Sequence, residues 1–537
     1  MPAIRRPVPV AAALVGGVLF LLVQGLRWPE PPGLDQGLFA CFGLWIPEGA
    51  VPYLDLWDSK PPAIYYTYAL AFSLTGGGAG SIRLLDAGAI LAGGLLCWAL
   101  AARLRAGAAP WAALIYVLGA NLPLFDGYWG SAQAETFVGP CVLGALLAAL
   151  RGLEGPAAEK EPGHGAAGSR SLAAAGALAG LGVLYKAPAV VLLLPVPLVL
   201  AGAGRWRLLV AYAAGACLPV VVTALYLWHR GALGALFDVL FRYTPAYLHV
   251  VSPPSYWPAA GAAALRLYGG NPLLAAASLA GLVVLVRAAR RPAEGTRPRL
   301  ALPLVLSWWA LAHAGVWAQR QFAGYHFLLL LPPLAVLAGT GCRATWERMR
   351  GGPRRAWPTA LLALGLLAAG VHDLQGAAAF YAPHARLALG RTSRSDFLRR
   401  FVAGATDPSA EQEAGAYLRS ASRPDERILV WGLAPGIYYY SGRPPATRYL
   451  FHHLLLTESP LSLRLGGLEE RRREFMVRLQ REAPAWILVG HHDRNYFEPQ
   501  ESWEQLQRFA ALRAYLEGGY SFDRRIGHFL LYRRATE

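Results

Sequence analysis

The sequence predicts a polytopic α-helical membrane protein with about eleven transmembrane helices. Further helices lie along the membrane in the first outside loop, and a C-terminal extracytoplasmic α/β domain follows. Three observations predict this fold class. Only 15% of the 537 residues are charged and 55% are hydrophobic, whereas soluble domains average about 25% charged; charge is costly in hydrocarbon. The apolar residues come in blocks such as Val190–Leu200, Leu208–Trp228 and Phe327–Leu337, without the alternation of barrel strands. After about His372 the blocks stop and charge returns.

In order along the chain, apolar segments fall near 7–26, 61–76, 84–102, 110–124, 136–150, 171–185, 188–202, 208–228, 271–286, 300–317, 325–341 and 357–371. Arg5 and Arg6 precede the first; with no small-x-small cleavage motif after it, it reads as an uncleaved helix. The segment 61–76 starts at Pro61-Pro62, carries Tyr65, Tyr66 and Tyr68, and stops at Gly76-Gly77-Gly78. It is short for a span of ~20 residues. Laid along the surface, it leaves the N-terminus inside, with Arg103, Arg105, Arg151, Arg205, Arg207, Arg287, Arg290, Arg343 and Arg348 among the many inside cations. The outside loops then hold few: Arg27, Lys60, Arg83, Lys186, Arg230, Arg242, Arg266 and Arg320. Letting 61–76 span inverts this bias, so the positive-inside rule selects the surface arrangement. It makes one long outside loop from about Arg27 to Arg83 and puts Asp126–Glu135 outside as well.

Residues 1–371 thus read as a transmembrane module and 372–537 as the outer domain. In the latter, Arg427–Gly432, Trp486–Gly490 and Phe529–Arg533 read as short strands and Leu468–Glu482 as a helix. Glu154–Ser169 is a polar, Gly/Ala-rich cytoplasmic linker. The formal charge of +17 belongs to these topology-setting arginines and not to a nucleic-acid surface. The five cysteines show no metal spacing and no disulfide framework.

Three features gather on the outer face. Asp35 stands just past the first span in Gly33-Leu34-Asp35-Gln36-Gly37, where a helix-capping role also suits it. The run Pro52-Tyr53-Leu54-Asp55-Leu56-Trp57-Asp58-Ser59-Lys60-Pro61-Pro62 ends in two prolines that fix the backbone. They hold Lys60 as a point charge near headgroup level, suited to a phosphate, although Trp57 and the tyrosines also fit an interfacial belt. Glu135 sits where an outside loop enters a span, a position the helix dipole favours by itself.

These residues resemble the GT-C glycosyltransferases, in particular the bacterial family-39 group, which is similar to protein O-mannosyltransferases and to the lipid A aminoarabinose transferase. The resemblance rests on the Asp35 loop, the run ending in Lys60-Pro61-Pro62, Arg83 after a Gly-rich break, Glu135, and Arg320-x-Phe322-x-x-Tyr325-His326 leading into Leu331-Pro332-Pro333. It implies an integral membrane enzyme that moves a sugar from a polyprenyl-phosphate donor to an extracytoplasmic glycan, lipid or protein acceptor, in a bacterial cell membrane. Asp35 corresponds to the family's first-loop aspartate, a general base acting with Glu135. Lys60, with Arg320 and Lys186, would bind the donor phosphate. Tyr53, Asp55, Asp58, Arg83, Tyr325 and His326 would line a substrate or lipid groove. Relatives with protein acceptors carry an acid after the aspartate, where this chain has Gln36; this favours a glycan or lipid acceptor.

No nucleotide motif is present. No metal set is assigned: His491-His492-Asp493 is adjacent and lacks helical spacing, and reads as a surface loop. The rival from another class is a transporter or flippase of lipid-linked sugars. That class predicts ionisable or broken helices near mid-membrane in paired halves. A polysaccharide ligase and a glycan-binding receptor are the remaining alternatives.

Overall fold

The computed structural model describes residues 8–105, 107–121, 127–154, 165–290, 298–349, 356–456, 459–495 and 500–535. The expected linker Glu154–Ser169 lies mostly outside them, as do Arg5, Arg6 and Asp126. The first half of the chain is helical. It runs α1 Val8–Arg27, α2 Leu34–Trp45, α3 Ala63–Thr75, α4 Ala79–Leu104, α5 Ala109–Gly119, α6 Ala134–Glu154, α7 Gly165–Tyr185, α8 Pro195–Gly202 and α9 Trp206–His229. There follow α10 Leu233–Asp238, α11 Thr244–Val251, α12 Tyr256–Gly269, α13 Pro272–Arg290, α14 Pro298–Ala318, α15 Leu331–Met349 and α16 Ala356–Ala388. Among the described residues, five helices are long and apolar enough to cross a membrane: Ala79–Leu104, Ala134–Leu153, Ala167–Tyr185, Trp206–His229 and Pro272–Arg290.

Several expectations need correction. The stretch 188–202 is not one helix: a 3-10 turn at Ala187–Leu193 precedes α8, because Pro188, Pro195 and Pro197 lack the N–H an α-helix needs. The region between α9 and α13, expected to be loop, holds α10, a π-helical turn at Val239–Tyr243, α11 and α12. The segment 325–341 starts as a 3-10 turn, Gly324–Leu329, before α15. The helix from Ala356 continues past 372 to Ala388. In the first loop α3 follows Pro61-Pro62 and stops at Gly76, whose φ of 82° is left-handed and whose N–H bonds Phe72 O. Its 13 residues rise only about 20 Å, short of the ~30 Å hydrocarbon core.

The chain forms two compact units. The first comprises residues 1–28, 86–225 and 253–382. Its helices approach closely through small residues. A Cβ on Gly281 would fall 1.8 Å from Leu337 O, and one on Gly341 2.0 Å from Ala277 O; α13 and α15 therefore meet backbone to backbone. Gly176 and Gly180 do the same for α7 against α9. By contrast α9 turns Val210, Leu218, Val221 and Leu225 outward, an apolar face that water does not suit.

The second unit comprises residues 29–85, 226–252 and 383–537. It holds α17 Arg394–Leu398, α18 Pro408–Ala421, β1 Ile428–Trp431, α19 Gly436–Ser441, α20 Pro460–Leu465, α21 Leu468–Glu482, β2 Trp486–Gly490, α22 Ser502–Arg508, α23 Ala510–Gly519, β3 Tyr520–Ile526 and β4 Phe529–Arg534. The sheet order is β1-β2-β4-β3. β1 and β2 pair in parallel, Val430 opposite Leu488, and β2 pairs antiparallel with β4, Leu488 opposite Leu531. β1 and β2 are buried along their whole length, as strands covered on both faces require. The first-loop helix α2 packs into this unit: Gly37 meets the Gly436 backbone so closely that a Cβ would stand 3.1 Å from its Cα.

Candidate active site

The loop before Lys60 is a built structure. Asp55 Oδ2 accepts the Val51 N–H at 2.8 Å, and the Tyr53 N–H bonds Leu56 O at 2.7 Å. Tyr53 adopts φ 72°, a conformation costly for a side chain of this size. Its ring is fully buried and its hydroxyl donates to Lys60 O at 2.9 Å. The Trp57 N–H bonds Arg448 O at 2.8 Å. On the other side the Lys60 N–H donates to the Tyr65 hydroxyl at 3.1 Å, which donates to Asp58 Oδ2 at 3.0 Å. Pro61-Pro62 then starts α3. The Lys60 backbone is thus held by two tyrosines and a proline pair, and only its side chain is left to position.

That side chain reaches Asp35. Lys60 Nζ is 3.2 Å from Asp35 Oδ1 and 4.0 Å from Asp58 Oδ1. Asp35 stands in the first turn of α2, where the dipole favours an acid. The Lys60 and Asp35 side chains keep 16% and 19% exposure, against 2% for Asp58. Burial works against the Lys60 charge, but Asp35 and Asp58 more than offset it, so the ammonium is held well above the usual lysine range. Burial raises the Asp58 carboxyl, Lys60 and its hydrogen bonds pull it back, and Asp35 pushes it up again; the net direction is upward. Asp35, Asp58 and Lys60 line a cleft of about 120 Å³. Its other walls are Leu34, Leu38 and Ser59, then Tyr243, Tyr247, Val250 and Val251, and Leu433, Pro435, Phe451, His453 and Ser459–Leu461.

The remaining sequence-selected residues fall in two groups. Tyr53, Asp55 and Arg83 belong to the same unit but are absent from the cleft lining. Tyr53 and Asp55 shape the loop. Arg83 is buried, 3.2 Å from Glu30 Oε2, and donates to the Glu30 and Pro31 carbonyls at 2.9 and 3.2 Å. His384 Nε2 lies 2.9 Å from the other Glu30 oxygen. Sequence reasoning missed Glu30 and His384, which lie 354 positions apart and share no local pattern.

Glu135, Lys186, Arg320, Tyr325 and His326 lie in the first unit. Lys186 Nζ is 2.8 Å from Glu135 Oε1 and 5.7 Å from the Tyr325 ring centre. Glu135 is buried and Lys186 partly so, with 12% of its side chain exposed. The loop leading to it is held by Asp86, which accepts the Ala132 N–H at 2.6 Å and the Ser131 hydroxyl at 3.0 Å and faces Arg27 at 3.8 Å. Asp86 is another residue the sequence did not single out. His326 is buried, edge-on to Tyr325. Arg320 is exposed and lies over Tyr256, 5.4 Å from the ring centre.

His491-His492-Asp493 separates. Asp493 turns inward, accepting the Ser502 N–H at 2.8 Å. His491 and His492 instead meet Glu501, all within 4.8 Å. Arg494 Nε is 3.5 Å from the Glu501 oxygen that His492 faces. A guanidinium beside the only carboxylate of the set opposes a cation there.

The fold is that of the membrane glycosyltransferases of the GT-C type, which the loop motif resembles. Residues 59–229 match the family of dolichyl-phosphate-mannose-protein mannosyltransferases. The crystal structure of ArnT from Cupriavidus metallidurans bound to undecaprenyl phosphate superposes with a TM-score of 0.59 at 16% identity, over 97% of each chain. The archaeal oligosaccharyltransferase AglB from Archaeoglobus fulgidus, in complex with an inhibitory peptide and a dolichol-phosphate, gives 0.50 at 12% identity, over 97% of this chain and 74% of its own. No curated protein matches by sequence.

Proposed function

We propose that the protein is a multi-pass glycosyltransferase of a bacterial cell membrane. It transfers a sugar from a polyprenyl-phosphate donor to an acceptor hydroxyl on the extracytoplasmic side, with the cleft of Asp35, Asp58 and Lys60 as the site. The N-terminus is cytoplasmic, about eleven helices cross the bilayer, and the part beyond 372 lies outside. The observation that carries the reading is Lys60 Nζ held between two carboxylates at 3.2 and 4.0 Å in an otherwise largely apolar cleft. The fold match to ArnT, whose structure holds undecaprenyl phosphate, supports a lipid-phosphate donor.

In the reaction the bond from the anomeric carbon to the phosphate oxygen breaks, and one to the acceptor oxygen forms. Asp35 takes the acceptor proton as general base. Negative charge gathers on the departing lipid phosphate, and Lys60 meets it. Binding the phosphate draws Lys60 from Asp35, which frees the carboxylate for the acceptor. Lys186 with Glu135, and Arg320, are second candidates for the phosphate or for positioning substrate. A flippase needs no such base, and the charged pair at the cleft does not suit it.

The test is transfer of radiolabelled sugar from polyprenyl-phosphate donors in proteoliposomes, followed by mass spectrometry of surface glycans in a deletion strain. Asp35→Asn is expected to lower transfer by about 10²- to 10⁴-fold with expression intact. Near-full activity in that variant would remove Asp35 as the base, and flipping without transfer would favour the transporter.

A further inference from the structure

The wall of the cleft away from α2 is aromatic and is built from two distant parts of the chain. Tyr243 closes the π-helical turn Val239–Tyr243, a distortion common at functional sites. Its hydroxyl lies 3.2 Å from His453 Nε2, and its ring stacks on Tyr247 at 5.7 Å and 14°. His453 stacks on Phe451 at 4.5 Å and 14°. Trp57 holds the group from behind, edge-on to Tyr243, Phe451 and His453. Tyr243, Tyr247, Phe451 and His453 all line the cleft with Asp35, Asp58 and Lys60.

We propose that this wall is the subsite for the ring of the transferred sugar, with the Tyr243–His453 pair bonding its hydroxyls, and that the ring carries no carboxylate. The inference rests on the glycosyl-transfer reading. Aromatic faces are electron-rich and attract the C–H face of a ring, while a few placed polar atoms fix its orientation. Tyr243 and His453 provide such atoms beside the group that meets the phosphate, where the anomeric carbon must lie. An isoprenoid chain needs apolar faces but no hydroxyl–imidazole pair. Among the described residues the lining holds one cation, Lys60, which the donor phosphate already requires. Burial pushes the His453 imidazole down to about 3, so it stays neutral and offers a sugar carboxylate no counter-charge.

The experiment measures binding of undecaprenyl phosphate and of its mannosyl, glucosyl, galactosyl and glucuronosyl derivatives to the full-length protein in nanodiscs, in wild type, Tyr243→Phe and His453→Phe. At least one neutral sugar lipid is expected to bind wild type about tenfold tighter than the bare lipid phosphate, and the glucuronosyl lipid no tighter than the bare one. Both variants are expected to lose the neutral-sugar surplus while bare-lipid affinity stays within about twofold. If His453→Phe fails to fold, Tyr243→Phe, which keeps the ring, decides. A surplus that survives in the variants, no surplus for any neutral sugar, or parallel loss of bare-lipid affinity overturns the subsite. Failure of wild type to bind undecaprenyl phosphate at all overturns the glycosyl-transfer reading itself.

Discussion

Replacing Lys60 by Met keeps most of the length of the side chain and removes its charge. The ammonium now sits 3.2 Å from Asp35 and 4.0 Å from Asp58, with 16% of the side chain exposed. A lipid phosphate oxygen in the same place would lie at a similar distance. Two unit charges ~4 Å apart attract by about 4 kcal/mol at an effective dielectric of ~20 and by about 1 kcal/mol in water. The small residual exposure puts Lys60 toward the first value, so about 2–4 kcal/mol of transition-state stabilisation is lost. That corresponds to a fall in kcat/KM of about 30- to 1,000-fold. Lys60→Arg keeps charge but not the point-charge fit and is expected to restore part of it. The assay is sugar transfer in proteoliposomes, with thermal melting as a control, because Met leaves two carboxylates facing each other. A Lys60→Met protein that melts like wild type and works within about threefold of it would refute a phosphate-binding lysine. The pH dependence carries a sign as well. Because Lys60 is held above its ordinary value, its stabilising contribution is complete below about pH 10.4 and is lost only as pH rises through the raised folded value.

Asp35→Asn is expected to lower turnover by about 10²- to 10⁴-fold, the range of a general base, with donor binding retained; equal loss of bare-lipid binding would make it a structural residue. Arg83→Met leaves the Glu30 charge buried beside His384 and is expected to cost about 3–5 kcal/mol. The double variant with Glu30→Gln should recover much of the lost thermal midpoint, and a neutral single variant would contradict the buried clamp. Glu411 is buried against Gly436, and burial, then Asp407, raises its carboxyl to about 8. A raised acid favours the folded state at low pH and loses that advantage as pH rises toward the folded value. Glu411→Gln is therefore expected to raise the melting temperature at pH 8 and to leave it unchanged near pH 4; the opposite trend would contradict a buried neutral acid.

Strong local periodicity made parts of the fold legible. α21 was readable from its charged surface and its apolar side, where Phe475, Met476 and Leu479 are buried. β1 and β2 were readable as apolar runs ending in glycine. The Lys60-Pro61-Pro62 corner was legible because proline restricts the backbone whatever surrounds it. α2 was expected only as one of the first-loop helices, without bounds, because a helix buried on several sides carries little amphipathic pattern. The helices between α9 and α13 are short and interrupted by a π-turn and by Pro245 and Pro258. The Lys60–Asp35 approach was implied only by a shared loop. Glu30 with His384, and Tyr243 with His453, meet across 354 and 210 positions, a pairing that tertiary structure alone creates.

On this reading the cleft of Asp35 and Lys60 receives the lipid phosphate. The most direct measurement is a structure of the protein with undecaprenyl phosphate, locating the phosphorus. A phosphate oxygen is expected about 3 Å from Lys60 Nζ, with the ammonium drawn away from Asp35 and the carboxylate open to an acceptor. A phosphate held instead by Lys186 or Arg320, with the Lys60–Asp35 pair still closed, would contradict it.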